Sequence, residues 1–203
     1  MTRKLVSFVH LTLDGYACGP HGELEWANVE PEIAADVDAR LKAVGTAVYG
    51  REVYGMMAGY WPTVRANPDS SEHDRSHMAW VEAIPKVVIS RSLDRADWNN
   101  TTLIREHVAE QVNALKAQPG GDLMVFGSPR LVHLLARLSL IDEYLIYLNP
   151  ALLGGGTPLF EPGQPPFPLT LLESRAFGAG VVVLRYGVSG NSISENSAPE
   201  AQP

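Results

Sequence analysis

Three arginines stand just beyond three β-prone runs: Arg51 after Thr46–Tyr49, Arg91 after Lys86–Ser90, and Arg130 after Asp122–Phe126. Small residues come with each, Gly50 before Arg51, Ser90 before Arg91, and Gly127-Ser128-Pro129 before Arg130. A strand that feeds a helix through small residues leaves the first N–H groups of that helix unpaired, at the positive end of its dipole. A guanidinium beside such a turn can grip a phosphate through two parallel hydrogen bonds. The pattern fits a cradle for the phosphates of a nucleotide. One such arginine alone reads equally well as a solvated surface charge; recurrence at three strand ends points to the cradle. Pro129 removes one N–H, but at the first position of a helix that group has no intrahelical partner anyway.

A second group brackets the long segment GYACGPHGELEWANVEP that follows the first strand. Asp14 and Glu25 are carboxylates that could supply a proton, and Trp26, Tyr54 and Trp61 could form a flat slot for a heterocycle. The same aromatics also suit core packing, and an aspartate where a strand meets a loop often binds nearby backbone N–H groups. Other chemistries are excluded by pattern. No G-x-G-x-x-G follows the first strand, so the ordinary dinucleotide fingerprint is missing. Gly154–Gly156 precedes Thr157-Pro158 and reads as a turn or bulge. His73 and His77 have helical i, i+4 spacing, but within H-D-R-S-H rather than H-E-x-x-H, and no metal is expected. No G-x-S-x-G elbow supports a serine nucleophile.

These residues need a scaffold, and the alternation of apolar residues outlines it. Lys4–Leu13 reads as a buried strand. Pro31 opens a helix carrying Ile33, Val37, Leu41 and Val44 up to Gly45. Thr46–Tyr49, Lys86–Ser90 and Asp122–Phe126 read as strands, with helices after the first and third. EYLIYLN after Asp142 is another strand, and PLTLLESRAF with GVVVLRYGV form a closing antiparallel hairpin. Helices between early strands and a hairpin at the end predict a mixed sheet. Residues 1–188 are expected to form one domain, and 189–203, without aromatics and rich in Ser, Asn and Pro, a disordered tail.

The net charge of −7 argues against a nucleic-acid partner. No apolar run approaches the roughly 20 residues that cross a membrane. The single cysteine, Cys18, excludes an intrachain disulfide. The N-terminus lacks the apolar core of a secretion signal, and a cytoplasmic protein is expected.

Five stretches carry a resemblance: LTLDGYACGPHGELEW (11–26), VYGREVYGMMAGYWP (48–62), KVVISRSL (86–93), VFGSPRLVHLLARLSLIDEYLIYLNPALLGGGTPLF (125–160) and the closing hairpin. Together they resemble the family of dihydrofolate reductase and the C-terminal reductase domain of the bifunctional riboflavin-biosynthesis deaminase-reductase, most closely its stand-alone members. The resemblance implies an α/β, dihydrofolate-reductase-like fold: a central mixed, mostly parallel sheet, helices on both faces and a C-terminal antiparallel hairpin. It implies NADPH lying across the strand ends, and a homodimer. Gly50, Arg51 and Tyr54 would line the cofactor, with Arg51 near its 2′-phosphate. Ser90 and Arg91 would hold the adenosine side, Gly127, Ser128, Arg130 and Leu131 would lie under the pyrophosphate, and Leu13 and Asp14 would face the nicotinamide.

The activity so implied is hydride transfer to a small heterocyclic or carbonyl substrate. It is similar to the 5-amino-6-(5-phosphoribosylamino)uracil reductase step of riboflavin biosynthesis. The substrate would sit between the nicotinamide and the 14–26 loop, in contact with Asp14, Trp26 and Trp61. Asp14, Glu25 or bound water would donate the proton. Glu32 and Asp36 lie on the helix after the loop, but neither sits in a folate-binding motif. A non-catalytic NADP(H)-binding sensor and a dihydrofolate reductase are the alternatives.

Overall fold

The computed structural model describes residues 2–161, 163 and 167–189. The elements run β1 Leu5–Thr12, β2 Tyr16–Cys18, α1 Pro31–Leu41, β3 Val44–Gly50, α2 Arg51–Ala66, α3 Glu72–Ala83, β4 Lys86–Ile89 and β5 Thr101–Ile104. They continue with α4 Val108–Ala117, β6 Asp122–Phe126, α5 Pro129–Arg137, β7 Glu143–Asn149, β8 Thr157–Pro158, β9 Leu169–Ala176 and β10 Val182–Val188. Among the described residues, no helix is long and apolar enough to cross a membrane. The expected tail lies outside the described residues from position 190 onward.

Eight strands form one sheet in the order β5-β4-β3-β6-β1-β7-β10-β9. The first six in that order are mutually parallel, and β10 and β9 close the sheet antiparallel. This is the expected mixed, mostly parallel sheet. Parallel strands need crossover connections, and these place helices on both faces. Successive side chains of a strand point to opposite faces, and β1 divides its residues accordingly. Leu5, Val9 and Leu11 pack with Val112 of α4 and with Leu131, Val132 and Leu135 of α5. Val6 packs with Ile33 and Leu41 of α1 and Tyr54 of α2. Helix α3 lies outside α2 and shares with it a smaller cluster of Trp61, Val64 and Val81.

Three features depart from the sequence reading. Helix α1 stops at Leu41, and Val44 and Gly45 belong to β3. Strand β5 and helix α4 are additional; β5 has only Ile104 fully buried and α4 only Val112, too thin a stripe to stand out as a pattern. The long segment after β1 is held in part by a ribbon, β2 against β8.

The start of β3 is set by backbone contact. Its register against β6 shifts between Val44 and Thr46, so Gly45 is the extra residue of a bulge. A Cβ on Gly45 would stand 2.6 Å from the carbonyl oxygen of Gly121, well inside contact distance. Gly45→Ala is expected to destabilise the protein by about 1–3 kcal/mol through overpacking. Urea denaturation would show a lower midpoint with unchanged slope; an unchanged midpoint would mean that the two backbones separate without cost.

Candidate active site

Because β1, β3, β4, β5 and β6 are parallel, their C-terminal ends open along one side of the sheet. Helices α2, α4 and α5 start there, and none has a side-chain cap at its N-terminus. Helix α3, which starts away from this row, is capped by Ser71, whose hydroxyl accepts from the Asp74 N–H. The uncapped N–H groups are free for an anion. Two of the three starts converge: a Cβ on Gly50 would lie 2.7 Å from the Ser128 Oγ and 3.1 Å from its Cβ, so the end of β3 lies directly against the β6–α5 turn. Gly127 and Ser128 both take positive φ, 56° and 54°, which turns the chain sharply into α5 at Pro129.

Next to this junction lies a cleft of about 930 Å³. Ser90, Arg91 and Arg130 line it, joined by Arg105, Glu106, His107, Glu110 and Arg137. Ile89, Val108, Leu134 and Leu138 add an apolar wall suited to the face of a flat ring. Arg105 and His107 escape the sequence reading because β5, whose end carries them, is itself missed there. Arg51 is exposed and does not line the cleft; Glu52 lies 3.5 Å from Arg51 and 3.6 Å from Arg130. Leu131 is buried under α5, while Leu13, 64% exposed, stands free at the end of β1.

Several candidate residues serve the scaffold. The Asp14 carboxylate accepts from the Thr12 hydroxyl at 2.6 Å and from the N–H groups of Gly154 and Leu153 at 2.8 and 3.0 Å. The Thr12 hydroxyl, then the Gly154 N–H, hold its carboxyl below the usual range. It is therefore ionised at neutral pH and organises the 151–156 turn. Tyr54 is buried, and its hydroxyl accepts the Trp98 N–H at 2.9 Å, so it does not face the cleft. Trp61 is also buried, stacked on His77 at 4.8 Å between α2 and α3. It is remote in packing from Asp14 because its position on α2 faces α3, not the sheet. His73 and His77 both approach Asp38 of α1, at 3.0 and 3.4 Å, and link α3 to α1. Trp26 is half-buried and donates its Nε1–H to the Glu23 carbonyl, while the neighbouring Glu25 is exposed. Asp36 is engaged by Arg40, Arg175 and the Tyr147 hydroxyl.

The α1/α2 face of the sheet holds a row of rings absent from the sequence reading. Phe126 lies 5.6 Å from Tyr49 and 5.7 Å from Phe8; Phe8 lies 5.7 Å from His10, and His10 is stacked on Tyr147 at 5.2 Å. Tyr49 and Tyr147 are fully buried, but Phe8, His10 and Phe126 between them are only partly covered, so the middle of the row is more accessible than its ends. The row adjoins the β6–α5 turn: the Phe8 carbonyl accepts the Gly127 N–H. The signal in the sequence is a histidine at a position of β1 that alternation turns inward.

Burial pushes the His10 imidazole down from 6.5 to about 4, so the ring is neutral at neutral pH. Between those values the unfolded chain holds the extra proton, so stability rises as pH goes from about 4 to 6.5 and is level above. The contribution is on the order of 3 kcal/mol. On acidification from pH 6.5 toward 4, wild-type protein should lose stability more steeply than His10→Phe. Parallel pH profiles of the two denaturation midpoints would show that His10 is not kept neutral by the fold.

The RibD C-terminal domain family model matches residues 3–183. The uncharacterized protein YyaP of Bacillus subtilis (strain 168) is 30% identical over 188 residues, covering 93% of this chain and 96% of that one. The diaminohydroxyphosphoribosylaminopyrimidine deaminase/5-amino-6-(5-phosphoribosylamino)uracil reductase of Thermotoga maritima aligns with a TM-score of 0.63 at 12% identity, over 93% of this chain and 57% of its own. The dihydrofolate reductase of Enterococcus faecalis, complexed with NADP(H), aligns with a TM-score of 0.58 at 14% identity, over 93% of this chain and 99% of its own. The fold is thus dihydrofolate-reductase-like, and the chain, matched along nearly its whole length, belongs to the RibD C-terminal domain family.

Proposed function

We propose that this protein is an NADPH-dependent reductase acting on a small heterocyclic or carbonyl substrate, of the kind named for the Thermotoga maritima enzyme's uracil reductase activity. The observation that carries this reading is a cleft edged by Arg91, Arg105 and Arg130 onto which the uncapped starts of α4 and α5 open, with the start of α2 beside that of α5. These groups fit NADPH: N–H groups of Gly50, Arg51, Ser128 and Arg130 for the pyrophosphate, guanidinium groups for the 2′-phosphate, and the apolar wall for the adenine. When bound, the cofactor supplies the hydride.

The chain's own residues would then position and exclude. Leu13 at the end of β1 would cover the nicotinamide on the side of the 14–26 loop, and Asp14 would hold that loop to the 151–156 turn. Phe8, His10 and Phe126 would floor the substrate pocket. Since Asp14 is ionised and committed to backbone N–H groups, Glu25 or solvent would supply the proton. The dihydrofolate reading is weaker, because Asp36, a carboxylate of α1, is already paired with two arginines and a tyrosine.

Calorimetric titration with NADPH and NADH should show a preference for NADPH. Arg91→Ala should lose one charged hydrogen bond, about 1.5–3 kcal/mol, or roughly 10- to 150-fold in NADPH affinity, with little change for NADH. Arg51→Ala should move in the same direction. Equal affinity for the two dinucleotides in wild-type protein would remove the 2′-phosphate assignment, and binding of neither would remove the reductase reading. Turnover with a panel of pterins, ribosyl pyrimidines and quinones would distinguish an enzyme from a sensor.

We also propose a homodimer. Strand β9 is an edge of the sheet and exposes Leu171 and Leu172, 53% and 51%, a surface that a second copy would cover. Light scattering should give a dimer-sized particle; a monomer at all concentrations would exclude it.

A further inference from the structure

His10 is the polar group of the aromatic row, and its orientation is determined by a residue beneath it. Asn149 is fully buried, and its amide cannot be reversed: Oδ1 accepts the Asn28 N–H at 2.8 Å, and Nδ2 donates to the Tyr147 carbonyl at 2.8 Å. Nδ2 therefore also faces the His10 Nδ1, at 3.4 Å. A donor facing Nδ1 requires a lone pair there, so the ring proton resides on Nε2. A charged imidazolium would set donor against donor and would also be disfavoured by burial. Nε2 has no hydrogen-bond partner among the described residues, and it is not among the buried atoms sealed from solvent without one. The outcome is a neutral N–H donor, oriented from behind, on a partly covered ring beside Phe8.

We propose that His10 is a specificity-determining residue that contacts the substrate, its Nε2–H selecting a flat, uncharged ring that carries a carbonyl oxygen or an unprotonated ring nitrogen, with Asn149 as its positioning residue. This rests on the reductase reading for the place of the substrate, but the tautomer and the selectivity are properties of this chain alone. Phe8 and Phe126 offer ring faces and edges that hold any flat molecule. The single N–H adds discrimination, because a ring without an acceptor would leave the donor unpaired on losing its water.

Two probes of similar shape test it, with the full chain saturated with NADP⁺: lumazine, a flat bicycle with ring carbonyls, and naphthalene, a flat bicycle with no acceptor. Wild-type protein should bind lumazine more tightly than naphthalene. His10→Phe keeps a ring in place and should weaken lumazine about tenfold while leaving naphthalene and NADPH affinities within about twofold. Imidazole ¹⁵N spectra of the wild type at neutral pH should show the Nε2–H tautomer for His10. A charged ring or the Nδ1–H tautomer would overturn the proposal, as would equal loss of both probes, unchanged lumazine binding in the variant, or no preference in the wild type. If NADPH itself does not bind, the reductase reading falls and takes this inference with it. NADPH binding without lumazine discrimination removes the role of His10 alone.

Discussion

Parallel pairing of β1 with β6 on one side and β7 on the other is the constraint from which the site follows. A parallel neighbour can be reached only by carrying the chain back along the sheet, so helices must begin where strands end. In this chain that places the starts of α2, α4 and α5 on one side of the sheet, with their first N–H groups unmatched. The glycine at the end of β3 then decides how close two of those starts can come. A Cβ at position 50 would crowd the Ser128 side chain, which must then turn away from the β3–α2 turn.

Charge is distributed against the average of the chain. The net charge is −7, yet one cleft gathers Arg91, Arg105, Arg130 and Arg137 against only Glu106 and Glu110. A field of this kind is local, since exposed charges are screened beyond about 10 Å at ordinary salt. An acidic protein can therefore hold an anionic ligand without attracting polyanions in general. Elsewhere the acidic residues are used in the scaffold: Glu143, buried at the start of β7, pairs with Lys4 and Arg185, and Glu173 and Asp36 share Arg40.

Asp14 and His10 show how the two faces of the site differ. Asp14 is exposed and held ionised by hydroxyl and backbone donors, so it acts as a fixed acceptor that shapes a turn. His10 is largely covered and held neutral, so it offers one N–H and one lone pair rather than a positive charge. Each is a polar group whose protonation is settled by the fold before any ligand arrives, the condition for a preorganised site.

Much of this was legible in the sequence because it is local. Alternation marks β1, β3, β6 and β7 by their own residues, and Gly50, Ser90 and Gly127-Ser128 sit beside their strands in the chain, so the turns that end these strands could be recognised without knowing the sheet order. Trp61, Tyr54 and Asp14 are different. Whether an aromatic ring lines a slot or fills a core depends on which element lies opposite, and only the tertiary structure puts α3 over Trp61, the Trp98 amide against Tyr54 and the Gly154 amide against Asp14. Arg105, His107 and the row from Tyr49 to Tyr147 likewise come from strands far apart in sequence. The sequence by itself determined the strand-to-helix turns, since turn chemistry and side-chain period are properties of neighbouring residues. The tertiary structure alone decided which polar groups remain free to meet a ligand, because hydrogen-bond partners and burial are set by residues as distant along the chain as His10 and Asn149.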